Sequence, residues 1–340
     1  MKKILTIFSL FVLSLSASAK VITVNNNPNS PGQYSNLQMA IDSASAGDSI
    51  YVQGSSTSYG SVSVKKPLYF FGTGNKPNKA NNLVSEIGNI QLDTVVNVSG
   101  ASGTKITGFR LTAVIGYSGN GGTQNVQIQR NYFISGTTKI FISGSGWIIE
   151  NNIFESSLVK VNNKSNIIIR NNILKSCSIQ TSNQSTVVIS NNIFLGSSFT
   201  AFSNISNALI ANNIFSGSTP NGTGVNNNTM SNNITYQTSS DIIPSGTNTG
   251  SGNLVAQNPM FVNVPANNFN YSYNFALDSI SPGKNAGTDG TDIGIYGGVM
   301  PFVDLTGAPS IPQVKSVSIQ NPVITVGDSL QVILKANKQN

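Results

Sequence analysis

The sequence contains no histidine, a single cysteine, and charged residues at only 9% of its 340 positions. Without histidine there can be no Ser-His-Asp triad, no Cys-His pair and no histidine-ligated metal site. The lone cysteine, Cys177, excludes an internal disulfide framework and a CxxC motif, and we expect it to be a small buried side chain. Acidic residues are scarce as well, since none lies between Ser156 and Ser240. Little material is therefore present for acid-base catalysis.

The N-terminus has the three parts of a secretory signal peptide. Lys2 and Lys3 form a positive region, residues 4–15 are mostly apolar, and Ala17-Ser18-Ala19 is a small-residue cleavage site. We predict that residues 1–19 are this signal and that the protein is secreted, to the periplasm, the cell surface or the medium. No later segment is apolar over the length of a membrane span. The net charge of +7, without a basic run interleaved with aromatic residues, gives no indication of nucleic-acid binding.

A repeat of about twenty residues is the strongest pattern in the chain. The phrase Asn-Ile-Phe, or a close variant of it, recurs at steps of 21, 20, 20, 21 and 20 residues. Its asparagines are Asn131, Asn152, Asn172, Asn192, Asn213 and Asn233. Apolar residues alternate before and after each phrase with the period of two that is typical of strands. One such coil cannot bury its own apolar face, so we predict stacked coils that share one core.

The asparagine column has a structural explanation. Parallel strands stack about 4.8 Å apart, and at that spacing side-chain amides can hydrogen-bond from one coil to the next. A glycan-binding row of asparagines is the alternative. We favour the structural interpretation, because it satisfies polar groups at a turn buried between strands.

The repeat resembles the right-handed parallel β-helix family, the pectin-lyase-like architecture of many secreted bacterial proteins. Residues 37–44, with apolar side chains at helical spacing, and the strand-like residues 47–52 resemble the family's capping helix and first strand. Residues 258–262, 281–283 and 292–297 resemble its closing segment.

The resemblance implies an all-β fold, a right-handed parallel β-helix solenoid with an N-terminal capping helix, over residues 20–302. Residues 303–340 begin with a proline-rich linker and continue as two strand-like runs around a Gly-Asp turn. We predict a short C-terminal β extension, either docked on the solenoid or the stub of a larger sandwich, because so few strands are not stable alone.

Many members of this family are polysaccharide lyases or hydrolases, and the resemblance implies such an activity as one alternative. A hydrolase needs paired carboxylates, and a lyase needs a base and usually carboxylates that hold calcium. Arg130 and Glu150 are the candidate catalytic residues. Glu150 shares a column with Arg170, however, and Glu155 shares one with Lys175. We therefore favour cross-strand ion pairs over catalytic roles for both acids.

Asp289 and Asp292 are the candidate ligands of a calcium ion. Both lie in the motif Gly-Thr-Asp-Gly-Thr-Asp, within the part of the chain that the resemblance assigns to the closing segment. A turn capped by the aspartate side chains is the interpretation we favour. We therefore expect no cofactor, with calcium as the alternative.

Two rows of side chains are predicted to point out of the coils. One row is polar and partly basic and consists of Lys139, Lys160, Gln180 and Thr200. It is the candidate binding surface for an acidic glycan, with a plain solvated face as the alternative. The other row is apolar and consists of Ile148, Ile168, Val188 and Leu209. We expect another segment of the chain to cover it.

These patterns predict a secreted β-helix protein that binds polysaccharide without catalysis. A polysaccharide lyase or glycoside hydrolase is the first alternative, and it rests on the resemblance alone. A structural stalk or an ice-like flat-face binder is the second. That function would need a regular, flat threonine ladder, and the outward columns of this chain are too mixed to provide one.

Overall fold

In the computed structural model, the described residues are 19–30, 32–76, 83–93, 100–117, 119, 121–134, 138–162, 164–182, 186–303, 305–309, 311, 313–321, 323 and 325–337. The predicted signal peptide, apart from Ala19, lies outside the described residues.

The chain begins with short strands around one helix, α1 (Leu37–Ser43). The strands before the asparagine repeat are β1 (Val21–Val24), β2 (Ser49–Val52), β3 (Val62–Val64), β4 (Tyr69–Phe71), β5 (Glu86–Leu92), β6 (Lys105–Thr107) and β7 (Arg110–Gly116). The first strands of the repeat are β8 (Gln127–Gln129), β9 (Tyr132–Phe133), β10 (Thr138–Ile142), β11 (Ile148–Glu150), β12 (Ile153–Asn162), β13 (Ile167–Arg170) and β14 (Ile173–Ser182). They are followed by β15 (Val187–Ser190), β16 (Ile193–Thr200), β17 (Phe202–Ser203), β18 (Leu209–Ala211), β19 (Ile214–Thr219), β20 (Thr229–Ser231) and β21 (Ile234–Tyr236). The remaining strands are β22 (Phe261–Asn263), β23 (Asn274–Leu277), β24 (Gln313–Ile319) and β25 (Val332–Asn337).

Two parallel sheets form a solenoid. The ten-strand sheet has the order β1-β2-β4-β6-β8-β11-β13-β15-β18-β20. The eleven-strand sheet has the order β21-β19-β16-β14-β12-β10-β7-β5-β3, with β9 and β17 pairing at its side. Successive coils therefore contribute one strand to each sheet in turn, which confirms the predicted parallel β-helix.

Each coil contributes apolar side chains to one interior. In the ten-strand sheet, Ile149, Ile169 and Ile189 pair in register and are buried. In the eleven-strand sheet the rings of Phe194 and Phe215 stack with their centres 4.9 Å apart. Because burial contributes roughly 25 cal/mol per Å² of apolar surface, most of the stability comes from stacking coil on coil.

The asparagine column forms a continuous ladder, as predicted. Each side-chain oxygen accepts hydrogen bonds from the backbone N–H and the side-chain amide of the asparagine one coil earlier, at 2.9 to 3.1 Å. The ladder begins at Asn131 and continues past Asn233 to Asn253, one coil further than the repeat had indicated. It satisfies amides that would otherwise be buried without partners.

A second row of residues, directly before the ladder, adopts a left-handed backbone. This outer row consists of Arg130, Asn151, Asn171, Asn191, Asn212 and Asn232, with φ between +51° and +59°. Asparagine tolerates this conformation better than most residues do. The side chains of the outer row bind residues 283–303 and 305–308, which we call the strap. Asn171, for example, donates to the carbonyl oxygens of Ile295 and Gly297, both at 2.9 Å.

The strap runs back along the solenoid from its C-terminal end. Asn232, late in the repeat, donates to the carbonyl oxygen of Ala286, whereas Arg130, early in the repeat, donates to that of Ala308. Together with β23, the strap also buries an outward apolar row of the eleven-strand sheet. That row consists of Ile153, Ile173, Ile193, Ile214 and Ile234. Contacts with the solenoid thus continue to Ala308, beyond the predicted end of the closing segment at residue 302.

The two ends of the chain match the predicted elements. Helix α1 begins after Asn36, whose side chain accepts from the backbone N–H of Met39, and it buries Leu37, Ala40 and Ile41. Its role as a cap over the end of the solenoid stays a prediction. At the other end β24 and β25 form an antiparallel hairpin in which Val317 is 60% exposed. Ile333, on the other face, is 48% exposed, so neither face of the hairpin is buried against the solenoid at these positions.

Candidate functional site

The register of β10 differs from the prediction and moves Lys139 off the surface. Thr138 pairs with Leu158 but Ile140 pairs with Val159, so Lys139 lies at a bulge between them. Its side chain is fully buried, and its Nζ has no hydrogen-bond partner within the described residues. The prediction that Lys139 lies in an outward binding row is therefore wrong. The physical reason is that the connection leading into β10 is longer than in the next coil.

Phe141 takes the outward position that had been predicted for Lys139. It pairs with Lys160, Lys160 pairs with Gln180, and Gln180 pairs with Ser203. We call these four residues the lysine row. The signal for this register was the alternation of the sequence Ile140-Phe141-Ile142, in which only the middle residue points outward.

Thr200 does not belong to the lysine row. The twenty-residue repeat predicts that Thr200 lies opposite Gln180. In the structure Thr200 pairs instead with Thr219 of β19. The residue that pairs with Ile179 is Phe202, not Phe199. The shift arises because extra residues lie between Leu195, which pairs with Lys175, and Phe202, which pairs with Ile179. Thr200 is exposed, but the row ends in Ser203.

The lysine row presents different chemical groups one coil apart. The Nζ of Lys160 lies 5.9 Å from the centre of the Phe141 ring, within the range of a cation–π contact. All four side chains of the row are partly exposed. Beside it the hydroxyl of Ser182 donates to Oδ1 of Asn162 at 3.0 Å. An aromatic ring, an ammonium group, an amide and hydroxyls thus follow each other along the axis, about 4.8 Å per coil.

Glu150 and Glu155 form the predicted ion pairs with the next coil. Nε of Arg170 lies 2.7 Å from Oε2 of Glu150, and Nζ of Lys175 lies 2.5 Å from Oε1 of Glu155. Glu150 is buried, and its other oxygen accepts from the side-chain amide of Gln129. Both carboxylates are therefore engaged by neighbouring side chains.

Glu155 also accepts a hydrogen bond from the hydroxyl of Tyr132. Burial alone would raise the pKa of Glu155, but the hydrogen bonds from Lys175 and Tyr132 and the positive charges of Lys175 and Arg110 outweigh it, so that the pKa is lowered. Burial and the bond to Glu155 raise the pKa of Tyr132. At neutral pH Glu155 is ionised and Tyr132 is protonated, which leaves neither group ready to exchange a proton.

Arg130 and Glu150 do not form an acid-base pair. The backbone N–H of Arg130 donates to the carbonyl oxygen of Glu150 at 3.3 Å, but the two side chains part. The guanidinium of Arg130 donates to the carbonyl oxygen of Ala308 in the strap at 2.9 Å. Arg130 therefore holds the strap at a position where the later coils use asparagine.

The two candidate calcium ligands serve separate contacts. Oδ1 of Asp289 accepts from the backbone N–H and the hydroxyl of Thr291, at 3.1 and 2.7 Å, which is an aspartate-capped turn. Asp292 binds Nζ of Lys284 at 2.7 Å and accepts from the backbone N–H of Asn285. Among the described residues, no group of three or more His, Cys, Asp or Glu side chains is placed to hold a metal ion.

The outward apolar row forms as predicted but is not the row that the chain covers. Ile148, Ile168, Val188 and Leu209 pair in register along the ten-strand sheet. Leu209 is 45% exposed, and a shallow groove of about 320 Å³ lies over the later part of the row. The expectation of an intrachain cover here is therefore wrong. The strap lies instead beyond the asparagine turn, where the outer asparagine row binds it.

Comparison with known proteins assigns this chain to no family and to no activity. No protein-family model matches it, and no curated protein matches it. Two solved structures of pectin methylesterase from Aspergillus niger, in its deglycosylated and penultimately deglycosylated forms, are similar at 14% and 15% identity. They cover 69% and 70% of this chain and 87% and 84% of their own, with TM-scores of 0.23 and 0.22. TM-scores of this size carry no argument about fold or activity, and the architecture rests on the strand pairing described above. No helix within the described residues has the length and apolar character to cross a membrane.

Proposed function

We propose that this chain is an exported protein that binds polysaccharide along the lysine row without cleaving it. The observation that carries the proposal is the pairing of Phe141 with Lys160, continued by Gln180 and Ser203 on successive coils. An aromatic ring offers a flat apolar surface to a sugar ring, while the ammonium, amide and hydroxyl groups offer hydrogen bonds to its polar edge. Repetition of such positions along one axis suits a linear polymer.

An acidic polysaccharide is the proposed class of ligand. The chain carries a net charge of +7, and no acidic residue lies between Ser156 and Ser240, the span that includes the later part of the row. The acidic residue nearest to Lys160 in sequence is Glu155, which is paired with Lys175. A uronate carboxylate would meet the ammonium group of Lys160 there.

The engaged carboxylates support binding over catalysis. Hydrolysis requires two carboxyl groups facing one glycosidic bond, whereas Glu150 and Glu155 are each held by a cation from the next coil. A lyase would use a base close to the substrate, whereas the guanidinium of Arg130 is bound to the strap. Lyase or hydrolase activity stays the alternative.

The proposal is tested by affinity electrophoresis of the purified protein in gels that contain pectate, alginate or a neutral glycan, with and without calcium. The wild-type protein should be retarded by at least one acidic glycan. The double variant Phe141→Ala/Lys160→Ala should bind about tenfold more weakly, which corresponds to ~1.4 kcal/mol.

Lys105→Ala is the matched control, because Lys105 lies over the ring of Tyr69, 5.3 Å from its centre, on the ten-strand sheet. It should bind like the wild type. Equal retardation of the double variant and the wild type would contradict the proposal. Release of reducing ends or of unsaturated uronate from any glycan would favour the enzymatic alternative.

A further inference from the structure

A separate cavity of about 240 Å³ lies at the C-terminal end of the eleven-strand sheet. One wall comes from the neighbouring strands β19 and β21 and the residue that follows β21, and the other comes from residues 258–267. Its polar and aromatic lining includes Ser216, Tyr236, Gln237, Asn258, Phe261 and Asn267. These side chains belong to neither the lysine row nor the strap.

A chain of hydrogen bonds fixes the polar groups of this cavity. The buried hydroxyl of Ser216 donates to Oδ1 of Asn267 at 2.5 Å, and Nδ2 of Asn267 donates to Oε1 of Gln237 at 3.3 Å. Nε2 of Gln237 then donates to the hydroxyl oxygen of Tyr236 at 3.1 Å. Each group donates to the next, so the proton of the Tyr236 hydroxyl remains available to a ligand. The two amides are thereby oriented before any ligand arrives.

A close approach of backbone and side chain seats Asn267. Gly217, with φ of +75°, lies beneath it, and a Cβ atom at that position would come within 2.7 Å of Nδ2 of Asn267. Because Gly217 has no side chain, the side-chain amide of Asn267 can approach the sheet at this position. On the opposite wall Oδ1 of Asn258 accepts from the backbone N–H of Met260 at 2.8 Å.

The lining of this cavity contains no charged side chain. A charged ligand would find no counter-charge there. A neutral, hydroxyl-rich ligand would find oriented amides and a tyrosine hydroxyl for its polar groups, and the rings of Tyr236 and Phe261 for its C–H groups. The volume is below the roughly 300–1,000 Å³ of sites for drug-sized ligands, so it suits one small unit.

We infer that this cavity is a second binding site, which takes a single neutral sugar unit. The site does not depend on the lysine row, because the two share no residue. It would recognise a terminal or side-chain sugar by its hydroxyl groups. Gln237 and Tyr236 are the residues that set its specificity.

The test is saturation-transfer NMR of the full-length mature protein with glucose, galactose, mannose and N-acetylglucosamine, and with glucuronate and galacturonate as charged counterparts. At least one neutral sugar should receive saturation from the wild type. Neither uronate should receive saturation from the Phe141→Ala/Lys160→Ala variant, which lacks the ring and the ammonium group of the lysine row. Tyr236→Phe keeps the ring and removes the hydroxyl, and Gln237→Ala removes the amide. Each should weaken binding of that sugar about tenfold, or ~1.4 kcal/mol.

Gln257→Ala is the control, because Gln257 is an exposed glutamine just outside the cavity. It should bind the sugar as the wild type does. The inference is overturned if no neutral sugar receives saturation, if a uronate binds the Phe141→Ala/Lys160→Ala variant as well as the neutral sugars do, or if Tyr236→Phe and Gln237→Ala bind like the control. Phe141→Ala/Lys160→Ala should keep full binding here, which separates this inference from the proposed function.

Discussion

Lys160 and Phe141 occupy the same register position in successive coils, and the Lys160 ammonium lies 5.9 Å from the centre of the Phe141 ring. This contact arises only because a bulge at Lys139 shifts β10. If the register of Thr138 with Leu158 continued without the bulge, Ile140 would pair with Lys160. The bulge therefore places an aromatic ring, rather than an aliphatic side chain, beside the ammonium group of Lys160.

If the lysine row binds an acidic glycan through Lys160, salt should weaken that binding. The Debye length falls from ~10 Å at about 0.1 M salt to ~3 Å at about 1 M salt, so an exposed charge pair is largely screened. Lys160→Gln should bind more weakly in low salt and should show a flatter dependence on salt. The measurement is a series of binding isotherms at increasing sodium chloride. Parallel salt curves for the variant and the wild type would show that Lys160 does not carry the attraction.

Asn172→Ala should interrupt the asparagine ladder. Its side-chain oxygen accepts from the backbone N–H of Asn152, and its side-chain amide donates to the carbonyl oxygen of Ile149, so the substitution leaves a buried N–H without its acceptor and removes a donor from a buried carbonyl. We expect a loss of roughly 2–4 kcal/mol in the free energy of unfolding, measured by urea denaturation. Asn226→Ala is the control at an exposed asparagine and should change stability by less than about 0.5 kcal/mol. Equal losses of unfolding free energy in Asn172→Ala and Asn226→Ala would contradict a stabilising role of the asparagine ladder.

Two substitutions at Asn171, in the outer row, should separate the contribution of its side-chain hydrogen bonds from that of its left-handed backbone. Asn171→Gly removes the hydrogen bonds to Ile295 and Gly297 but accepts the φ of +51°. Asn171→Ala removes the same bonds and adds roughly 1–2 kcal/mol of left-handed strain. Both should expose the strap to trypsin at Lys284, and the alanine variant should melt at the lower temperature. A glycine variant less stable than the alanine variant would refute this explanation of the row.

Lys139→Met should stabilise the protein. The buried ammonium has no hydrogen-bond partner within the described residues, and burial lowers its pKa despite the opposing influence of Cys177 and Glu155. An unpaired buried polar group costs about 1–3 kcal/mol, and methionine is a flexible apolar substitute of similar shape.

The advantage of Lys139→Met should depend on pH. Because the folded-state pKa lies below the unfolded value of about 10.4, the unfolded state binds the proton more readily, and the cost is fully present below the folded pKa. The wild type should gain stability as pH rises from the folded pKa toward about 10.4. The difference between variant and wild type should therefore be largest in acid. Lys160→Met, at a partly exposed lysine, is the control, and a pH-independent difference at Lys139 would contradict a depressed pKa.

The fold could be predicted because the same pattern of asparagine and alternating apolar residues recurs in successive coils. The spacing of Asn152 and Asn172 places the ladder, and the opposite charges at Glu150 and Arg170 place an ion pair, since both follow from stacking equal coils. These inferences needed only the repeat length and the period of two.

The site was less predictable because it lies where the coils are unequal. Lys139 was misplaced because the loop into β10 is longer than its successor, and Thr200 because residues are added before β17. A shift of one residue in a strand turns a side chain from the surface to the core. The cavity beside Tyr236 could not be foreseen at all, because Asn258 and Asn267 come from a segment with no repeat.

The most direct test of the central claim is lysine acetylation footprinting with and without a bound acidic glycan, read by mass spectrometry. Lys160, in the lysine row, should be acetylated more slowly when the glycan is present, whereas exposed Lys105 on the ten-strand sheet should react at an unchanged rate. Protection of Lys105 without protection of Lys160 would place the glycan on the wrong sheet and would contradict the account.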